Sequence, residues 1–597
     1  MVQFIKNVFS SALGFLLALG VLGIISFIFL IGAAATASSS GTPSIKKNSI
    51  LRIPLSGTLT EQSSDDPLSE MLGMGGGSLA INDLCRAIDK AKDLNEIKGI
   101  FLESYGSLAA NPASLQEVRQ HLLDFKKSGK FIVSYGDFYT QGGYYLCSTA
   151  DKIAINPEGM LQWKGFGAQL TFYKELMEKV GVKMQVFKVG TFKSAVEPYI
   201  NTSMSEPNRL QVTSYLGSIW NNILEGVSSS RNISIDSLQA LADRYLLFSK
   251  SEDLLSSHLI DTLAYIDGTR DMLKRYAGTK EDGKLTFASI GDVLSAKDKK
   301  KNKSKNQIAV YYAEGEIVDE VPQGIGPATG SYIVGDKVVS DMDKLLKDKD
   351  VKAVVLRINS PGGSAFASEK MWHAIKQVDA KKPVIISQGG VAASGGYYMS
   401  AAGRYIFSEP TTITGSIGIF GMMPDASELL QKKLGLHYDY VKTNKRSDFT
   451  PGNYTRPMTE DEGALMQAYV ERGYGLFLSR VSEGRGKTNE QVDSIGQGRV
   501  WTGEQALEIG LVDELGGLDE ALAYAAKQAE LGEDWKAINY PESEPWYMQF
   551  INKKKNSYYE SRMRNSLGEL YQPFVLMQTI KQQNPIQARL PYDIDIR

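Results

Sequence analysis

Cysteine and histidine are both scarce in this 597-residue sequence, and each shortage narrows the chemistry available to it. The two cysteines, Cys85 and Cys147, have no neighbours at metal-ligand spacing, which argues against a zinc site or a disulfide framework and leaves core filling as their expected role. Whether they pair with each other depends on geometry that a sequence does not contain. The four histidines, His121, His258, His373 and His437, stand in no recognisable catalytic context, so a histidine base is not expected. Charge of one sign is lacking too: 66 Lys and Arg against 68 Asp and Glu leave a formal net charge of -2. This gives no general reason to expect a polyanionic partner, and with no nucleic-acid-binding motif in the sequence, nucleic acid is not expected as a partner. The rest of the composition is ordinary for a globular protein, and the length exceeds what one core organises, so at least two domains are expected.

One long stretch lacks charge altogether. No charged residue lies between Lys6 and Lys46, and residues 12–35 form an almost unbroken apolar run. As a helix this run would extend about 36 Å, enough to cross the hydrocarbon layer of a membrane. Ala35-Thr36-Ala37 has the form of a signal-peptidase cleavage site. The run is longer than the roughly 7–15 residues of a cleavable signal, however, so residues 1–46 read as an uncleaved membrane anchor. The flanking charges, Lys6 against Lys46 and Lys47, bias its orientation only slightly.

The chain also resembles itself. Ile97-Lys98-Gly99-Ile100-Phe101-Leu102 recurs as Val351-Lys352-Ala353-Val354-Val355-Leu356, Lys130 to Ser134 as Lys382 to Ser387, and Gly142-Gly143-Tyr144-Tyr145 as Gly395-Gly396-Tyr397-Tyr398. The first strands correspond as well, Ile50 to Thr60 with Ile308 to Asp319, each with a central glycine, Gly57 or Gly315. Within each half, short apolar runs alternate with amphipathic stretches such as Leu84 to Ala91 and Met342 to Leu346, the pattern of βαβ units. We therefore expect two tandem α/β domains of one fold, at 47–296 and 307–541, joined by a lysine-rich linker at 297–306. A C-terminal extension at 542–597 would pack on the second domain or lie at a membrane surface.

Three segments could carry chemistry. Asn359-Ser360-Pro361-Gly362-Gly363-Ser364 follows an apolar strand, and its glycines would let backbone amides approach an oxyanion; an ordinary tight turn is the alternative. In Ala392-Ala393-Ser394-Gly395-Gly396 a serine stands at a strand-to-helix junction, exposed for attack or simply capping the helix. With no suitable histidine the base would be a lysine, whose amine is neutral at physiological pH only when desolvated. Lys193 fits, in Val189-Gly190-Thr191-Phe192-Lys193-Ser194-Ala195-Val196-Glu197-Pro198-Tyr199, among small and apolar neighbours, although a lysine in a loop is usually just solvated.

These motifs resemble those of signal peptide peptidase A, or protease IV, in its long duplicated form (peptidase family S49). The resemblance implies that Ser394 is the nucleophile, Lys193 its general base, and Ser416, in Thr414-Gly415-Ser416-Ile417-Gly418, the serine that hydrogen-bonds the lysine amine. It implies that the amides of Gly363 and Gly395 form the oxyanion hole, and that no metal or organic cofactor is required. It also implies a ClpP- and crotonase-like α/β fold in each half, a homotetramer, and a single-pass protein of the bacterial cytoplasmic membrane with its catalytic domains on the periplasmic side. The expected activity is that of a serine endopeptidase acting on signal-peptide remnants and other short apolar peptides. Opposite Ser394 the first half has Gln141, opposite Gly362-Gly363 roughly Leu108-Ala109, and Ser447 stands opposite Lys193. Such complementary loss would leave one active site built from both halves. A shift of two residues would instead put Lys445 opposite Lys193, but Arg446 and Asp448 make its surroundings polar. The competing readings are a crotonase-like acyl-CoA enzyme, which uses a carboxylate base, and a non-catalytic membrane scaffold.

Overall fold

The computed structural model of the chain describes residues 45–62, 78–280, 282–297, 304–321, 331–450, 452–541 and 586–590, with a few positions between 14 and 23. Most of the expected anchor at 12–35, the linker residues 298–303 and residues 542–585 of the extension lie outside the described residues. Among the described residues no helix is long and apolar enough to cross a membrane.

Each half is built on a sheet whose inner strands are parallel. In the first half the order is Phe287–Ala288, Ser49–Pro54, Ile97–Ser104, Phe131–Tyr139, Lys152–Leu161, Thr262–Leu263. In the second it is Val500–Thr502, Ile413–Gly415, Val384–Ala393, Val351–Ser360, Gln307–Glu314, Lys536–Tyr540, with only the Val500–Thr502 edge antiparallel. Central strands of this kind are covered on both faces, which is why Val351–Ser360 has a near-continuous apolar run rather than an alternating one. The repeated segments occupy equivalent strands: Ile97–Ser104 pairs between Ser49–Pro54 and Phe131–Tyr139 as Val351–Ser360 pairs between Gln307–Glu314 and Val384–Ala393.

The amphipathic stretches form helices that close these sheets. Ile81–Asp93 buries Leu84, Ala87, Ile88 and Ala91, and Gly335–Lys347 buries Val338, Met342 and Leu345. Each large aliphatic side chain so removed from water contributes at most about 1.5–3 kcal/mol, and a charge at Met342 would break the second contact. The expected first strands differ from the sequence reading, because each is interrupted at its central glycine. Ser49–Pro54 stops before Gly57–Thr60, and Gln307–Glu314 before Glu316–Val318. At Gly315 (φ 109°) a Cβ would lie 1.8 Å from the Ser331 carbonyl oxygen, so the chain turns there and its continuation enters a second, smaller sheet.

These small sheets differ between the halves. That of the first half has three strands, Ser78–Ala80, Gly57–Thr60 and Leu108–Ala109. That of the second runs Tyr332–Val334, Glu316–Val318, Gly362–Ser364, Ile586–Arg589, Phe420–Asp425, Lys183–Lys188, so that its last strand is lent by the first half. The halves are also pinned by a buried ion cluster: the Arg357 guanidinium lies 2.8 Å from Glu61 and 2.6 Å from Glu117, and donates to Ser387 Oγ at 3.0 Å.

Candidate active site

The strand Val384–Ala393 hands the chain to the helix Gly395–Ser400 through Ser394. Ser394 has φ 55° and ψ -112°, a conformation that a non-glycine residue adopts only when its surroundings enforce it. Here its N–H donates to the Gly415 carbonyl at 2.8 Å, and its own carbonyl accepts from Tyr398 N–H at 2.8 Å. The strained turn projects Oγ from the end of the sheet, as a nucleophile elbow does.

Lys193 reaches this hydroxyl because the strand before it crosses between the halves. Lys183–Lys188 pairs antiparallel with Phe420–Asp425, from Lys188↔Phe420 to Lys183↔Asp425. The loop that follows is seated by Phe192 N–H, which donates to the Gln497 carbonyl at 2.9 Å. Gln211 fixes the same loop: its Nε2 donates to the Phe192 carbonyl at 3.1 Å and to Ser194 Oγ at 2.9 Å, while its Oε1 accepts from Val500 N–H at 3.1 Å. Beneath Lys193 lies Gly498, where a Cβ would sit 2.6 Å from Lys193 Cβ. The outcome is an amine 2.9 Å from Ser394 Oγ, 3.1 Å from Ser416 Oγ and 3.4 Å from the Ser416 carbonyl oxygen. Burial pushes the Lys193 amine down to about 7, since desolvation disfavours the ammonium form. The Phe420 ring, 5.9 Å away, is part of that apolar surround.

The two glycine segments meet at the same place. A Cβ on Gly363 (φ 155°) would lie 2.0 Å from the Ile317 carbonyl oxygen, so only glycine lets Gly362–Ser364 dock on Glu316–Val318. A Cβ on Gly395 would lie 3.2 Å from Gly362 Cα, which puts the two backbones in contact. Thus Ser394, Lys193 and Ser416 are within hydrogen-bonding distance of one another through the amine, and Gly363 and Gly395 stand on adjoining turns.

Other positions singled out by sequence lie elsewhere. Lys445 is 82% exposed and pairs with Asp461 at 3.3 Å, and Ser447 is exposed as well. Gln141, at the position equivalent to Ser394, accepts from Lys164 and Gly165 N–H at 3.0 and 2.9 Å. Leu108–Ala109 pairs with Gly57–Thr60 as Gly362–Ser364 does with Glu316–Val318. His121 lies beside Asp89, 2.9 Å away, and the two cysteines are buried and free. Sequence reading overlooked Gln211 and Gly498; the glycine pair around Gln497 was a usable signal, whereas nothing local marked Gln211.

An α/β sheet carrying a serine on a strained strand-to-helix turn, with a desolvated lysine amine at hydrogen-bonding distance, has the makings of a serine hydrolase. The family model described as "Peptidase family S49" matches residues 124–280 and again 376–532, and that described as "Clp protease" matches 332–412. Among curated proteins the chain is 37% identical over 479 residues to "Protease 4" of Salmonella typhi, covering 79% of this chain and 75% of that one. It is 34% identical over 528 residues to "Protease 4" of Haemophilus influenzae (85% and 84% covered). It is 31% identical over 489 residues to "Serine protease SPPA, chloroplastic" of Arabidopsis thaliana (82% and 70% covered). The chain belongs to peptidase family S49 and is a serine peptidase with two S49 repeats.

Proposed function

We propose that the chain is a membrane-bound endopeptidase that cuts signal-peptide remnants and other short apolar peptides with a Ser394–Lys193 dyad. Neutral Lys193 takes the proton of Ser394 as Oγ attacks the peptide carbonyl, and an acyl-enzyme forms on Ser394. Lys193 returns that proton to the departing amine and then activates the water that releases the acyl group. The Gly363 and Gly395 amides hold the oxyanion, and Ser416 orients the lysine amine. The observation that carries this reading is the 2.9 Å separation of Lys193 Nζ and Ser394 Oγ inside a fully buried site. The group facing the hydroxyl is an amine rather than a carboxylate, which favours a peptidase over an acyl-CoA enzyme.

The apolar run at 12–35 supports an anchor, and family resemblance supports a homotetramer in the bacterial cytoplasmic membrane with its catalytic domains on the periplasmic side. Hydrolysis of a short apolar peptide by the full-length protein in detergent tests the dyad. Ser394→Ala and Lys193→Met should each lower kcat/KM at least about a hundredfold, and Lys445→Met should leave it near wild type. Activity retained in Lys193→Met and lost in Lys445→Met would move the base to the second half.

A further inference from the structure

The segment leading into the Val500–Thr502 strand touches both the lysine loop and the serine beside the amine. Gly498 N–H donates to the Ile417 carbonyl at 2.7 Å, and Ser416 N–H donates to the Arg499 carbonyl at 2.7 Å. Toward the lysine loop, the Gln497 carbonyl holds Phe192 N–H, and Thr191 Oγ1 donates to Gln497 Oε1 at 2.9 Å. Burial then alternates as in a strand: Gly498, Val500 and Thr502 are buried, while Gln497, Arg499 and Trp501 are half-buried and form the outer row.

In that outer row Arg499 has an unusual setting. Its guanidinium carbon lies 4.0 Å from the centre of the Trp501 ring and 5.1 Å from that of Phe192, the residue before Lys193. Among the described residues no carboxylate pairs with it, and its Nε is buried without a hydrogen-bond partner. Trp501 is itself fixed, its indole N–H donating to the Ile495 carbonyl at 3.0 Å. A cation partly out of water with no counter-ion costs folding free energy, which two ring faces offset only in part. Such a group suits covering rather than pairing, because a planar guanidinium lies flat on aromatic faces where an ammonium stays hydrated.

The base needs a cover at this place. Lys193 is buried, yet the residues before it are not: Thr191 is exposed and Phe192 half-buried. The amine faces the Ser394 and Ser416 hydroxyls, the Ser416 carbonyl and the Phe420 ring. Glu197, on the same loop, spends its carboxylate on Ser205 N–H at 3.1 Å, Ser205 Oγ at 2.5 Å and Asn208 Nδ2 at 3.0 Å. The other charged groups on the surrounding elements are Lys188, Asp425, Glu206, Arg209 and Arg499 itself, and none of them sets the charge of the amine; burial alone brings it down to about 7. We propose that Arg499 is a positioning residue for the base: stacked between Phe192 and Trp501, its guanidinium closes the lysine loop against water and keeps the Lys193 amine desolvated. This role rests on the Ser394–Lys193 reading of the site.

The test is the pH profile of kcat/KM for a short apolar peptide with the full-length protein, which reports the base of the free enzyme. In the parent the profile should rise through about 7. In Arg499→Ala water reaches the loop and favours the ammonium, so the limb should move up to about 8, with kcat/KM about fivefold lower at pH 7 and near the parent's at about pH 9. Trp501→Leu, which opens the stack from its other face, should move the limb the same way. Arg499→Met fills the same space without charge and should keep the limb near the parent's. A limb unmoved in Arg499→Ala, or in Trp501→Leu should the former not fold, would show that the stack only braces the fold. An equal upward move in Arg499→Ala and Arg499→Met would assign the effect to the charge of Arg499 and overturn the covering role. A limb that survives in Lys193→Met would overturn the dyad reading instead.

Discussion

At the scale of single residues, the site depends on what is withheld from Lys193. An ordinary lysine amine is protonated at neutral pH and cannot accept a proton; this one is stripped of water, and its polar neighbours are two serines rather than carboxylates that would hold its charge. In the proposed mechanism Ser416, 3.1 Å from the amine, positions the base. Removing its hydroxyl should lower kcat about tenfold or more while KM stays within twofold or so, because a hydrogen bond to the amine, and no contact to substrate, is lost. Steady-state kinetics of Ser416→Ala, with Ser416→Thr as the conservative variant that restores part of the rate, check this. A rise in KM with kcat intact would make Ser416 a substrate contact. Glycine matters here for the space it leaves: at Gly498 any side chain would collide with Lys193 and move the amine from Ser394.

Elements show how much of this was legible in the sequence. The internal repeat disclosed the paired central strands, because a buried parallel strand is a short apolar run wherever it occurs, and Ile97–Ser104 and Val351–Ser360 are such runs. The segment before Lys193, Lys183–Lys188, is also a strand. Its partner was not legible in the sequence, since pairing of Lys183–Lys188 with Phe420–Asp425 is decided by tertiary contacts between segments more than two hundred residues apart in sequence. The breaks at Gly57 and Gly315 were visible as glycines but read as the middle of one strand; the crowding at the Ser331 carbonyl that forces the turn becomes apparent only in three dimensions. Gln211 was hidden for the same reason. It sits on the long helix Glu206–Arg231 and fixes both the lysine loop and the strand Val500–Thr502 with one amide.

For the whole molecule, the proposed dyad makes each half of the duplication dependent on the other. In the proposed dyad the first half supplies the amine and the second the hydroxyl, so catalysis depends on their relative placement. The cluster of Arg357 with Glu61 and Glu117 is one device for this. Burial first, and then the charge of the neighbouring Glu117 carboxylate, raise the Glu61 carboxyl above its ordinary range against the opposing pull of the guanidinium. Arg357→Ala leaves two buried carboxylates facing each other and should destabilise the protein by about 3 kcal/mol or more, read as a lower denaturation midpoint; an unchanged midpoint would mean that the halves are held by apolar packing alone.

The account stands most directly on one measurement, the pH dependence of Ser394 acylation by a fluorophosphonate, with the labelled residue identified by mass spectrometry. Because a base works only when unprotonated, and burial has lowered the Lys193 amine to about 7, the rate should climb as pH rises through about 7 and level off above it. In Lys193→Met the rate should fall and that limb should vanish, with the label still confined to Ser394. Label on another serine, or a limb near pH 7 that survives in Lys193→Met, would contradict it.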